Sequence, residues 1–109
     1  MNAISLDRVI AAVADPTRRS ILDRLARGPT RVGEVAAPFR ISQPAISRHV
    51  RVLEEAGLIQ RERSGREHIL SLDPRPLRDL ARWTSTYERF WNQKLDRLER
   101  HFRTSKETA

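Results

Sequence analysis

The sequence contains no cysteine, which excludes disulfides, thiolate metal sites and cysteine nucleophiles. Lysine is almost missing as well: Lys94 and Lys106 are the only two, so arginine carries nearly all of a formal charge of +7. Acidic residues number 14 against 21 basic ones. Glycine is sparse, and Gly28, Gly33, Gly57 and Gly65 stand too far apart to form a phosphate-cradling loop. His49, His68 and His101 have no nucleophile or carboxylate at catalytic spacing, so no enzyme is expected. No apolar run approaches the roughly 18 residues that cross a bilayer. The start Met1-Asn2-Ala3-Ile4-Ser5 lacks the basic-then-apolar order of a signal peptide, and a soluble, cytoplasmic protein is expected.

What is present is arginine, in a chain of 109 residues. That length suits one domain, 1–109, small enough to gain from burial against a second copy. An arginine excess favours a polyanionic partner, because the planar guanidinium forks onto phosphate or a guanine edge. A general arginine bias gives the same count, so position has to decide.

The six prolines fall where elements should begin or end. Asp15-Pro16 reads as an N-cap and first helical residue, and Gly28-Pro29 closes that helix, whose Ile21, Leu22, Leu25 and Ala26 recur at helical spacing. Upstream, Leu6, Val9, Ile10 and Val13 mark a first helix. A short third helix is expected from Thr30, with Val32, Val35, Ala36 and Phe39 on one stripe. Ser42 caps a fourth, which puts Pro44 in the first turn, where its missing N–H costs no hydrogen bond, and Gly57 stops it. Leu58 to Arg63 and Glu67 to Leu72 alternate apolar with polar residues around Ser64-Gly65-Arg66, the pattern of a two-stranded hairpin. Asp73-Pro74 and Pro76 open a long last helix to about Phe102, with a frayed tail from Thr104 to Ala109. The order helix, helix, helix, turn, helix, hairpin, helix is a mainly α winged helix-turn-helix with a β-hairpin wing.

On the fourth helix Ile46, Val50 and Leu53 share a core face, flanked by Ala45, His49 and Ala56. The opposite face carries Pro44, Ser47, Arg48, Arg51 and Glu55, with Gln43 and Glu54 at its edge. Donors therefore gather at the start and acids at the end, the reverse of what the helix dipole favours. That order suits a helix entering the DNA major groove by its amino-terminal half, where Gln pairs with adenine, Arg with guanine and Ser with a base or phosphate. Ser42, at the cap, lies where a phosphate is favoured. Arg63, Ser64 and Arg66 at the hairpin tip reach toward flanking backbone or minor groove, though a charged turn also serves solubility alone.

Five of the six aromatics lie between Trp83 and Phe102, interleaved with arginines. Stacking on single strands is one use of that pairing. Spacing favours another: Leu77, Leu80, Thr84, Tyr87, Trp91, Leu95, Leu98 and Phe102 form one stripe, widened by Trp83 and Phe90, too broad for a small core to cover. A homodimer through the first and last helices is expected, with Leu6, Ile10, Leu80, Trp83, Tyr87, Trp91, Leu95 and Leu98 at the interface, matching a palindromic site. His49 is expected to pack or bond backbone, or else to touch phosphate; His101 suits a helix end.

"ADPTRRSILDRL" at 14–25, "VGEVA" at 32–36, "ISQPAISRHVRVLEEAGLI" at 41–59 and "RERSGREHILSL" at 61–72 together resemble the ArsR/SmtB-type winged-helix repressors, over roughly residues 5–102. The resemblance implies a recognition helix from Ser42 or Gln43, DNA contacts from Gln43, Ser47, Arg48 and Arg51, a wing around Arg66, and a dimer built by the first and last helices. Metal-sensing members carry a cysteine pair that aligns with Arg31 and Gly33 here, and their other common site uses several His and acidic ligands on the last helix, where His101 is nearly alone. With about four convergent ligands needed for a divalent ion, the chain is similar to the metal-free branch, and no cofactor is expected. The expectation is a homodimeric transcriptional repressor on a double-stranded operator, often in its own promoter. The alternative is a winged-helix module whose basic face docks an acidic protein.

Overall fold

The computed structural model describes residues 5–108, with side chains through residue 104. Its order is α1 (Leu6–Val13), α2 (Pro16–Leu25), β1 (Thr30–Arg31), α3 (Val32–Ala36), α4 (Gln43–Glu55), β2 (Ile59–Ser64), β3 (Glu67–Leu72) and α5 (Arg75–Thr108). Helix starts follow the expected chemistry. The Asp15 carboxylate accepts the Arg18 amide at 3.0 Å ahead of Pro16, and the Ser42 hydroxyl accepts the Ala45 amide at 3.3 Å with Pro44 in the first turn. The bond from the Arg18 amide also holds the Asp15 carboxyl below its usual range.

Helix ends are handled differently. α1 has no basic residue in its last turn, and its open carbonyls are taken by arginines of α2. Arg18 donates to the Ala11 and Ala12 oxygens at 3.0 and 2.7 Å, and Arg19 to that of Val13 at 2.8 Å. α4 ends in a Schellman motif: Gly57 has φ +76°, its amide donates to the Glu54 oxygen at 2.9 Å, and the Leu58 amide reaches back to Leu53 at 3.0 Å. Leu53 and Leu58 are both fully buried, which supplies the hydrophobic contact of that motif.

The wing is a three-stranded antiparallel sheet in the order β1-β3-β2, not the two-stranded hairpin expected. Thr30 pairs with Leu70 and Arg31 with Ile69, so the third helix starts at Val32 instead of Thr30. The reason is the free edge of β3, whose inner N–H and C=O groups need partners. Thr30 is buried there, with its hydroxyl donating to the Gly28 oxygen at 2.9 Å. On the other edge, β2 and β3 pair from Ile59↔Leu72 to Ser64↔Glu67. Gly65 has φ +65° and no other residue type has positive φ among the described residues, which makes Gly65-Arg66 a glycine-first, type II′ turn.

The core joins Val9 and Ala12 of α1, Ile21, Leu22 and Leu25 of α2, Val35 of α3, Ile46, Val50 and Leu53 of α4, and Ile59 and Leu70 of the sheet. Asp73 fastens α5 to this body. Its buried carboxylate accepts from the Arg75 guanidinium at 2.6 and 2.9 Å, the Arg75 amide at 3.1 Å and the Gln60 amide at 3.2 Å. The Arg75 bonds hold that carboxyl far below the ordinary carboxylate range. α5 then runs for 34 residues, about 51 Å at 1.5 Å per residue, in a molecule 67 Å long. The helix continues through Thr108, past the end expected near Phe102, since no Gly or Pro follows Pro76 to stop it; Ala109 lies outside the described residues.

Candidate nucleic-acid interface

Burial of Ile46, Val50 and Leu53 against the other helices fixes which side of α4 looks outward. Gln43, Pro44, Ser47, Arg48, Arg51 and Glu55 are all exposed on that side, as their positions in the sequence require. Among the described residues the side chains of Arg48 and Arg51 meet no acidic group within the range of an ion pair and make no hydrogen bond within the chain. The Gln43 and Ser47 side chains are likewise uncommitted, whereas Ser42 spends one lone pair on the cap and keeps its O–H free to donate. The first half of α4 therefore presents a set of donors aimed at solvent.

The acidic end of α4 has a use not legible in its own sequence. Glu54 accepts from Arg61 of β2 at 2.7 and 3.3 Å, tying the root of the wing to the helix. Arg61 stands opposite buried Leu70 and, two residues on from Ile59, shares its face, so it leaves the sheet on the helix-facing side. A charge on that side needed a partner, and this was the signal available in the sequence. Arg63, two residues farther out, emerges on the same side and folds over the turn, its Nε donating to the Gly65 oxygen at 3.0 Å. Ser64 faces the other way, and Arg66 occupies the exposed tip. The wing residues are thus not equivalent: Arg66 is uncommitted among the described residues, and Arg63 is already engaged.

His49 is the other residue whose role the sequence left open. Its Nδ1 lies 3.2 Å from the Arg18 guanidinium and 3.9 Å from the Asp15 carboxylate, on the inner flank of α4. Arginine can only donate, so Nδ1 accepts and the ring proton sits on Nε2. Arg18 itself carried no periodic signal that separated it from Arg19.

The residues expected at a dimer interface divide into two groups. Leu80 is half-buried against the chain's own core, beside Leu77 of the same stripe, and so is only partly available to a partner. Ile10 of α1 and Trp83, Tyr87, Trp91, Leu95 and Leu98 of α5 are uncovered, with Phe90 and Phe102 beside them; exposure runs from 38% at Ile10 to 60% at Phe90. Trp83 and Tyr87 meet edge to face at 5.6 Å, which orders part of this surface. Leu6 is half-buried.

No group of three or more His, Asp or Glu side chains converges among the described residues. Arg31 donates to Glu67 at 2.8 Å and lies 3.9 Å from Glu34, while His101 is exposed beside Phe102. No helix of the described residues is long and apolar enough to cross a membrane.

Comparison with known proteins places this architecture. Residues 15–61, which hold α2, α3, α4 and the start of the wing, match the family model described as bacterial regulatory protein, arsR family. The HTH-type transcriptional regulator Rv2034 of Mycobacterium tuberculosis is 42% identical over 91 residues, covering 84% of this chain and 82% of that protein. The transcriptional repressor SdpR of Bacillus subtilis is 40% identical over 78 residues, covering 72% and 87%. Among solved structures, the ArsR family transcriptional regulator RHA00566 superposes with a TM-score of 0.74 at 34% identity, over 80% of this chain and 90% of that one. With its winged helix-turn-helix and relatives this close over most of their length, the chain belongs to the ArsR family of bacterial transcriptional regulators, and is not an enzyme.

Proposed function

We propose that the chain is a homodimeric repressor that reads a palindromic operator, its own promoter among the sites, with the first half of α4 in the major groove. One observation carries this reading: Gln43, Ser47, Arg48 and Arg51 stand exposed on a single helix face, and the arginines have no acidic partner among the described residues. Arg48 and Arg51 fork onto guanine edges, Gln43 onto adenine, and Ser47 donates to a base or phosphate. Ser42 and the wing residues Arg63, Ser64 and Arg66 hold the flanking backbone, with Arg66 the most available of these. The uncovered face of α1 and α5 supports the dimer, because an apolar surface this extensive is unusual on a monomer. The cytoplasm is where such a reader meets its operator.

Direct metal control is not part of the proposal. Arg31, which stands at a position of the metal-binding cysteine pair, is instead ion-paired with Glu67. Addition of zinc, nickel or arsenite is expected to leave operator affinity unchanged.

Selection of bound duplexes from a random-sequence library tests the whole reading. The expected product is an inverted repeat with half-sites about 34–36 Å apart, bound by two protomers. Failure to enrich any sequence, with equal binding to all duplexes at moderate salt, would instead point to a module whose basic face docks an acidic protein.

A further inference from the structure

We propose that Arg18 is a positioning residue for sequence reading, acting through His49 to set the pose of the recognition helix; this rests on the DNA-reading role of α4 proposed above. Every polar contact of Arg18 serves this purpose. Its amide is held by the Asp15 cap at 3.0 Å. Its Nε and one terminal nitrogen take the Ala12 and Ala11 carbonyls at 2.7 and 3.0 Å, at the open end of α1. The other terminal nitrogen donates to His49 Nδ1 of α4 at 3.2 Å. One residue thus joins the end of α1 and the middle of α4 through its guanidinium and the start of α2 through its amide.

The apolar contacts of α4 set which face looks inward but leave its fine azimuth to a directional bond. Ile46, Val50 and Leu53 resist its departure from the core, but burial is non-directional and tolerates a small roll about the helix axis. Base reading does not tolerate it, since a binding constellation must be held within about 0.5 Å and 10–20°. His49 directly follows Arg48 and lies two residues before Arg51, so a bond that fixes the ring fixes the azimuth of both. Because the other anchors of Arg18 are on α1, whose Ile10 is part of the uncovered face, the pose of α4 is referred to the proposed dimer helix and not only to the wing.

The test uses the full chain and two probes: a duplex selected from random sequence by the wild-type protein, and a scrambled duplex of equal length. Asparagine places a side-chain oxygen near the position of Nδ1, with a helix propensity close to that of histidine. His49→Asn is therefore expected to keep the wild-type preference for the selected duplex. His49→Leu keeps Arg18 and its α1 contacts but removes the acceptor, and is expected to lose about tenfold in that preference, a typical coupling for a contacting pair. Scrambled-duplex affinity, the slope of affinity against salt and cooperative unfolding should stay as in the wild type. Arg18→Gln should lose as much, and combining it with His49→Leu should lose no more. Preference retained in His49→Leu would overturn the proposal while leaving DNA reading intact. A shallower salt slope would overturn it in favour of a direct phosphate contact. A wild-type protein that selects no sequence would overturn the DNA-reading role and this inference together.

Discussion

Asp73 shows how much a single side chain can fasten. Its carboxylate takes bonds from Arg75 and Gln60 while nearly buried, so it remains ionised far below the usual carboxylate range. A depressed folded-state pKa adds stability that is complete above the unfolded value of about 4 and is lost as pH falls below it. Asp73→Asn is therefore expected to cost roughly 1.5–3 kcal/mol at neutral pH, the range for bonds to a charged group. Urea denaturation at pH 7 and at pH 3 checks this: the gap between the two proteins should narrow at the lower pH. Glu54 and Arg61 form the contrasting case, since both are about one-third exposed. Breaking that pair should change stability by no more than about 1 kcal/mol. What the pair does is tie the root of β2 to the end of α4.

At the scale of elements, the helix boundaries were legible because capping and stopping are short-range. Ser42, Pro44 and Gly57 sit next to the termini they define, and the last of these carries a test. At φ +76° a side chain is strained, so Gly57→Ala should cost about 1–2 kcal/mol, read from the shift in the denaturation midpoint at unchanged slope. The core stripe of α4 and the outward placement of Arg48 and Arg51 were legible for a related reason, since helical period alone assigns faces. β1 was not, because two residues are too few to show a period and their pairing with Leu70 and Ile69 is decided across the fold. The bond between Arg18 and His49 spans 31 positions, and nothing local announces it. The same is true of Arg61 and Glu54, except that a charge on the inner side of an alternating strand is itself a hint. In this chain, then, the outward-facing residues of α4 could be read directly, and the long-range partners of its other faces could not.

For the whole molecule, the question is what covers α5. Most of this helix extends beyond the body, with Trp91, Leu95 and Leu98 uncovered on one side. Leu95 is 57% exposed within one chain, so Leu95→Glu should leave the protomer's circular dichroism at low temperature intact and halve the mass found by sedimentation. An unchanged mass would remove α5 from the interface. In the proposed dimer, two copies of α4 would stand about one turn of DNA apart. The central claim, however, concerns the first half of α4, and it is tested most directly by titrating selected and scrambled duplexes with wild-type protein and with the Arg48→Ala, Arg51→Ala double variant over a range of salt. Each lost base contact is expected to cost about 1–3 kcal/mol, so for two contacts the preference for the selected duplex should fall by at least about 30-fold, far more than affinity for the scrambled one. A double variant that keeps the wild-type preference would contradict the account, because the specificity would then reside elsewhere than on this helix.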